Sequence, residues 1–177
     1  GLWIAVVRIM LAGMIVLGLM LAYFATQLPD IRALDTIKKQ QGITIEAADG
    51  HVVANYGDVY GSYVPYDQLP KSLVLAVIAT EDRRFFEHHG VDFFGIARAM
   101  VTNISRGHLV QGGSTITQQV AKNVFLTPER SLSRKMQELL LAFWLEARYS
   151  KREILKLYFD RAYMGGGAFG VEAASQF

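Results

Sequence analysis

Residues 9 to 25, IMLAGMIVLGLMLAYFA, carry no charge, and GLWIAVV extends the apolar stretch on the far side of Arg8. At about 1.5 Å per residue the combined segment reaches across roughly 30 Å, the thickness of bilayer hydrocarbon. Arg8 does not forbid this, because a long cationic side chain can snorkel to the interface. A cleaved signal peptide is the rival reading. Its apolar region is shorter, about 7 to 15 residues, and no clear small-x-small cleavage site follows here. A membrane anchor over residues 1–27 is therefore expected. Its orientation stays open, because Arg8 lies before the run and Arg32, Lys38 and Lys39 lie after it.

The anchor accounts for the positive mean hydropathy of +0.22. Of the 177 residues, 51% are hydrophobic, enough to bury a core of ordinary domain size. A net charge of +2 is too small to imply a nucleic-acid partner. The absence of cysteine excludes disulfides and thiolate metal sites and leaves the redox compartment undetermined.

Residues 28–70 form a polar juxtamembrane connector followed by ITIEAADGHVVANYG, whose alternation around Asp49-Gly50 predicts a β-hairpin with a two-residue turn. Everything past Pro70 reads as helix. KSLVLAVIAT is apolar, and VDFFGIARAMVTNISRG is closed by Gly107. Ser114 is the expected N-cap of STITQQVAKNVF after the Gly112-Gly113 hinge. Thr127-Pro128 is expected to open the next helix, with apolar Leu132, Met136, Leu139, Leu140 and Phe143 along it. Ser150 and Glu153 form a capping box before EILKLYFDRAYM, which the glycines at 165–167 end. Another helix starts after Gly170, and the expectation is of a longer protein.

The densest chemistry lies in AVIATEDRRFFEHHGVD, residues 76–92. Glu81 ends an apolar helix beside Phe85 and Phe86, so partial desolvation is expected, a condition that suits a carboxylate to general acid or base work. The alternative is an exposed helix end with Glu81 paired to Arg84. His88, His89 and Asp92 match no metal-ligand spacing, and packing or capping is the stronger reading of the histidines. Residues 165–170 formally satisfy GxGxxG but follow a helix rather than a strand. GGSTITQQVAKN brings hydroxyls and the amides of Gln118 and Gln119 to a helix start, an end that favours anions. Lys122, Arg130, Arg134 and Lys135 follow. They form either an anion site or a solvated basic face, with Arg134 and Lys135 paired to Glu138.

EDRRFFEHHGVD, GGSTITQQ, RSLSRKMQE, KREILKLYFDRAYMGG and GVEAAS, in this order and spacing, resemble the five motifs of the peptidoglycan glycosyltransferases, glycosyltransferase family 51. The resemblance covers residues 71–177. The segments DGHVVANYG and YDQLPKSLVLAVIATED resemble the membrane-proximal part of class A penicillin-binding proteins more than the shorter monofunctional enzymes.

The resemblance implies a mostly α, lysozyme-like fold carried by a single-pass anchor in the bacterial inner membrane, with the catalytic domain on the periplasmic face. It implies a reaction that joins lipid II to a growing glycan chain with inversion and loss of the lipid pyrophosphate. Glu81 matches the catalytic glutamate and Glu138 the second glutamate on the acceptor side. Lys122 and Arg130 match phosphate binders, with Arg134 and Lys135 reinforcing them and Arg98 a further phosphate contact. Ser114, Thr115, Gln118 and Gln119 match the second motif. The implied cofactor is a divalent cation, Mg²⁺ or Mn²⁺, with unknown ligands, and the implied partners are lipid II, the membrane and cell-wall synthesis proteins. Two departures from the family pattern are Asp160, where asparagine is common, and Phe169, where tyrosine is frequent. A glycan-cleaving lysozyme relative also carries one glutamate in a helical fold, but it has no need of the basic cluster or the anchor. A non-enzymatic scaffold should tolerate loss of both glutamates.

Overall fold

The structure is a computed structural model that describes residues 1–28, 43–49, 52–56, 59–60, 64–126, 129, 131–165 and 168–176. Helix α1, Leu2–Thr26, contains a 24-residue stretch of mean hydropathy 2.5, long and apolar enough to cross a membrane. None of that stretch is buried against protein, and its large side chains, such as Trp3, Ile9 and Leu19, face outward. The helix meets the rest of the molecule at its end. Gln137 Nε2 donates to the Gln27 carbonyl at 3.2 Å, and Leu28 packs against the core.

The expected hairpin is present as β1, Ile43–Glu46, antiparallel to β2, Val52–Tyr56. The last register pair among the described residues is Glu46 with Val52, and Gly50 of the expected turn lies outside the described residues. The register shifts between Ile45 and Glu46, an irregularity of the bulge kind.

Helix α2 is Lys71–Glu81, α3 Phe93–Arg106, α4 Ile116–Phe125, α5 Leu132–Arg148, α6 Lys151–Arg161 and α7 Val171–Ser175. The centre of the core is α4. Ile116, Thr117, Gln118, Val120 and Ala121 are buried, and the helix packs on α5 and α6. Phe85, Leu141, Leu145, Ile154, Leu155 and Phe159 complete the core with at most 1% exposure. Each such side chain contributes roughly 1.5–3 kcal/mol relative to exposure.

The buried stripe of α5 is Glu138, Leu141, Ala142 and Leu145, spaced i, i+3, i+4, i+7. Leu132 and Phe143, expected along its apolar face, point outward. Thr127 and Pro128 lie outside the described residues. The cap of α5 is Ser131, whose hydroxyl accepts from the Arg134 N–H at 3.0 Å. The capping box of Ser150 and Glu153 opens α6 as expected.

The chain past Pro70 is not all helix. β3, Val59–Tyr60, pairs parallel with β5, Ala168–Phe169, and β4, Tyr163–Gly165, pairs antiparallel with β5, giving the order β3-β5-β4. The glycine run does not end α6. Ala162 turns extended at φ −67°, ψ 137°, and Gly170 N–H donates to the Ala162 carbonyl at 2.9 Å, folding the ribbon back. Strands of two or three residues have no periodicity by which they can be read.

Gly170 sits at φ +86°, where a Cβ would stand 2.8 Å from the Asp160 carbonyl oxygen. Gly170→Ala is expected to cost about 2 kcal/mol or more of stability through strain and backbone collision. The check is a lowered urea midpoint with an unchanged slope in the full-length protein.

Candidate functional site

The site is built where the turn after α2 meets the N-terminus of α4. Glu81 is the last residue of α2, and Asp82 leaves the helix in an extended conformation at φ −158°. Asp82 is buried. One carboxylate oxygen accepts the Ile116 N–H at 3.0 Å, and His88 Nε2 stands 3.0 and 2.9 Å from the two oxygens. An ionised carboxylate only accepts, so Nε2 is the protonated nitrogen of that imidazole. Its Nδ1 is buried without a hydrogen-bond partner among the described residues.

The N-cap of α4 is Thr115, not Ser114. Thr115 Oγ1 accepts from the Gln118 N–H at 3.2 Å, and Gln118 Oε1 accepts from the Thr115 N–H at 3.1 Å. Counting from Ser114, the third helical position would be Thr117, which is too short to reach back. Thr115 Oγ1 also donates to the Gly90 carbonyl at 2.6 Å, fastening the end of the turn to the same helix. Three of the N–H groups at this helix start are therefore satisfied within the protein by Asp82, Thr115 and Gln118.

Two adjoining cavities open at this junction. The larger, about 360 Å³, is lined by Glu81, Arg83, Arg98, Gly112, Ser114 and Gln119 among others. The smaller, about 190 Å³, is lined by Ser114, Gln118, Gln119, Lys122, Arg134, Lys135 and Glu138. Ser114 and Gln119 belong to both. Gln119 Nε2 donates to Glu81 Oε2 at 2.8 Å, so a neutral amide orients this carboxylate from the shared wall.

The two glutamates sit in opposite environments. Glu81 is exposed on the cavity rim. The desolvation expected from its phenylalanine neighbours is not found, because Phe85 turns wholly into the core and Phe86 faces solvent. The alternative pairing with Arg84 is not found either. Arg84 bonds Glu87 at 2.7 Å and reaches Asp92 at 3.4 Å. Glu138 is buried, with Lys135 at 2.7 Å and Arg134 at 3.3 Å, the i,i+3 and i,i+4 pairs foreseen for a basic face. Lys135 also donates to Ser114 Oγ at 3.2 Å, so the pairing closes a wall of the smaller cavity.

The structure brings Glu81, Arg98, Ser114, Thr115 and Gln119 to the larger cavity, and Gln118, Lys122, Arg134, Lys135 and Glu138 to the smaller. Arg130 lies outside the described residues. Lys122 makes no ion pair among the described residues, which leaves its charge for a ligand. Sequence reasoning did not assign roles to Asp82, to His88 as its partner, or to Arg83. Asp82 meets a backbone N–H 34 residues away, and a backbone donor has no residue-type signature.

A family profile described as Transglycosylase matches residues 49–177. The chain is 49% identical over 154 residues to Penicillin-binding protein 1A of Escherichia coli (strain K12), covering 87% of this chain and 18% of that protein. It is 43% identical over 164 residues to Penicillin-binding protein 1A of Neisseria flavescens, covering 93% and 20%. It is 42% identical over 171 residues to that of Aquifex aeolicus (strain VF5), covering 91% and 24%. The chain thus spans between 18% and 24% of the length of these curated relatives.

Behind Glu81 lies Tyr158 on α6, whose hydroxyl is pushed up to about 12 by burial first and then by the charge of Glu81. Because the folded value lies above the ordinary 10, the group's contribution to stability is fully present below pH ~10 and is lost as pH rises through ~12. Tyr158→Phe is expected to remove this part of the alkaline loss, on the order of 2–3 kcal/mol. Urea melts of both proteins at pH 9 and pH 12 check it.

Proposed function

The chain belongs to the transglycosylase family, and from that premise we propose that the full-length protein polymerises lipid II into glycan strands. In this reading the acceptor's sugar hydroxyl attacks the anomeric carbon of the donor from the face opposite its pyrophosphate. The new C–O bond forms as the bond to the pyrophosphate breaks, the configuration inverts, and the lipid pyrophosphate leaves. A sugar hydroxyl is a poor nucleophile near neutral pH, so a carboxylate must take its proton as the bond forms. Glu81 is that base.

The observation that carries this assignment is the contrast between the two glutamates. Glu81 is exposed and, among the described residues, hydrogen-bonded by the neutral amide of Gln119 with no cation paired to it, which leaves it free to accept a proton. Glu138 is neutralised by Lys135 and Arg134, which suits it to hold the wall between acceptor and phosphate rather than to act as base. Negative charge grows on the departing pyrophosphate, and cations placed beforehand stabilise it. Lys122 in the smaller cavity and Arg98 in the larger are the cations for this role, with Arg134 and Lys135 adding to the field. Arg130 is assigned with them on the family's motif.

A divalent cation, Mg²⁺ or Mn²⁺, does not fit a cage made by the described residues. Among them there is no group of three or more carboxylate or imidazole ligands, and Asp82 is occupied by His88 and the Ile116 N–H. Such an ion would arrive on the substrate's own oxygens, and no step above depends on it.

The polyprenyl tail of the substrate stays in the bilayer, so the cavities must be held at its surface. α1 supports this as the anchor, and α3 exposes Phe93, Phe94, Met100, Val101 and Ile104 on one side as a lip to meet lipid. We place this domain on the periplasmic face of the bacterial inner membrane, in a bifunctional penicillin-binding protein that works with other cell-wall synthesis proteins.

Glu81→Gln keeps size and hydrogen-bonding capacity and removes the base. It is expected to lower lipid II polymerisation by the full-length protein at least about 100-fold with little change in substrate binding. Equal activity of the two proteins would refute Glu81 as base. A wild type that cleaves preformed glycan and makes none would replace the reading with a hydrolase.

A further inference from the structure

Glu81 is followed by eleven residues, 82–92, without a regular element, so its position depends on what fastens that turn. One end is held at Asp82 and His88. Its far end is held at Gly90 by Thr115, and a further fastening comes from below, from a residue that lines neither cavity. Lys151, the first residue of α6, donates from Nζ to the His88 carbonyl at 2.6 Å and to Glu146 Oε1 at 2.7 Å. The same ammonium stands 4.4 Å from the centre of the Phe85 ring, which is fully buried. Glu146 Oε1 also accepts from Thr117 Oγ1 at 2.7 Å.

These contacts close a circuit. Lys151 on α6 grips the turn at His88. His88 grips Asp82, Asp82 grips the first N–H of α4, and Thr117 on α4 returns through Glu146 on α5 to Lys151. Glu81 and its partner Gln119 are attached to two members of the circuit, as the neighbour of Asp82 and one turn into α4. The Lys151 and Glu146 side chains are only 19% and 6% exposed, so the pair is held in a poorly screened environment where networks of hydrogen bonds are stiff.

We infer that Lys151 is a positioning residue for the Glu81 carboxylate, acting through the His88 carbonyl, the Phe85 ring and the Asp82–His88 pair. The inference rests on the reading of Glu81 as base. A general base must meet the acceptor hydroxyl within hydrogen-bond reach, and a displacement of about 1 Å can cost about 100-fold in rate. Severing the tie to His88 should therefore lower turnover while leaving the substrate contacts of the cavities in place.

The test uses the full-length protein, lipid II polymerisation kinetics and thermal unfolding of four forms. These are wild type, Lys151→Met, Glu146→Gln, and the double variant Glu146→Gln/Lys151→Met, which removes both charges and relieves the unpaired carboxylate of the single change. Lys151→Met is expected to lower kcat roughly 10- to 100-fold with KM changed less than about threefold. The double variant is expected to regain the lost thermal midpoint but not the lost kcat. Glu146→Gln keeps the bond to His88 and is expected to keep kcat within about threefold of wild type. Recovery of kcat together with stability in the double variant would make the circuit a scaffold and overturn the inference, as would unchanged kcat in Lys151→Met. Failure of both Lys151 variants to fold would overturn it in the same way. A wild type that makes no glycan refutes the underlying glycosyltransferase reading and takes the inference with it.

Discussion

The carboxylate of Asp82 joins the two halves of the candidate site. It caps the first N–H of α4 and holds the proton-bearing nitrogen of His88, and it does so from 6% exposure. The helix that begins there, α4, is also the centre of the core, so the turn that carries Glu81 is tied to the most buried helix of the site. An anionic side chain at a helix N-terminus is favoured by the aligned peptide dipoles and by the unpaired N–H groups. Here that interaction fixes the residue beside Glu81, the carboxylate proposed as base. The Ile116 and Gln118 N–H groups at the start of α4 are answered by Asp82 and Thr115, so the proposed reading gives anion binding to side-chain cations on the cavity walls.

The proposed division of roles between the two glutamates rests on their different surroundings. Glu138 is buried, and its two oxygens are taken by Lys135 and Arg134. Glu81 is exposed and oriented by the Gln119 amide, with no cation paired to it among the described residues. Gln119, which lines both cavities, ties the Glu81 carboxylate to the wall it shares with the cationic cluster.

The helical framework and most of the site were legible in the sequence because they depend on residue types at short spacing. The capping box of α6, the αL glycine at position 107 and the i,i+3 and i,i+4 pairs of α5 are local features, and each is found. The chemistry-bearing side chains were legible for a different reason, the ordered motifs of a known family. What escaped the sequence was long in range or short in extent. The Lys151 to His88 bond spans 63 positions and ends on a carbonyl, which every residue has. The cap of α4 moved one residue from Ser114 to Thr115 because only the latter has Gln118 in reach. The strands β4 and β5 are too short to carry a period, and β5 takes a parallel partner from far upstream in β3.

α1 ends against α5, where Gln137 holds the Gln27 carbonyl, one turn from the cluster of Arg134, Lys135 and Glu138. The apolar span and the cationic wall are thus parts of one body. The central claim is that Glu81, held in place by this body, receives the acceptor's proton. The most direct measurement is a structure of the full-length protein with a donor analogue that cannot lose its pyrophosphate and a lipid II acceptor. The expected result places the attacking hydroxyl within about 2.6–3.2 Å of a Glu81 carboxylate oxygen, with the pyrophosphate against Lys122. An attacking hydroxyl seated against Glu138, or distant from both glutamates, would contradict it.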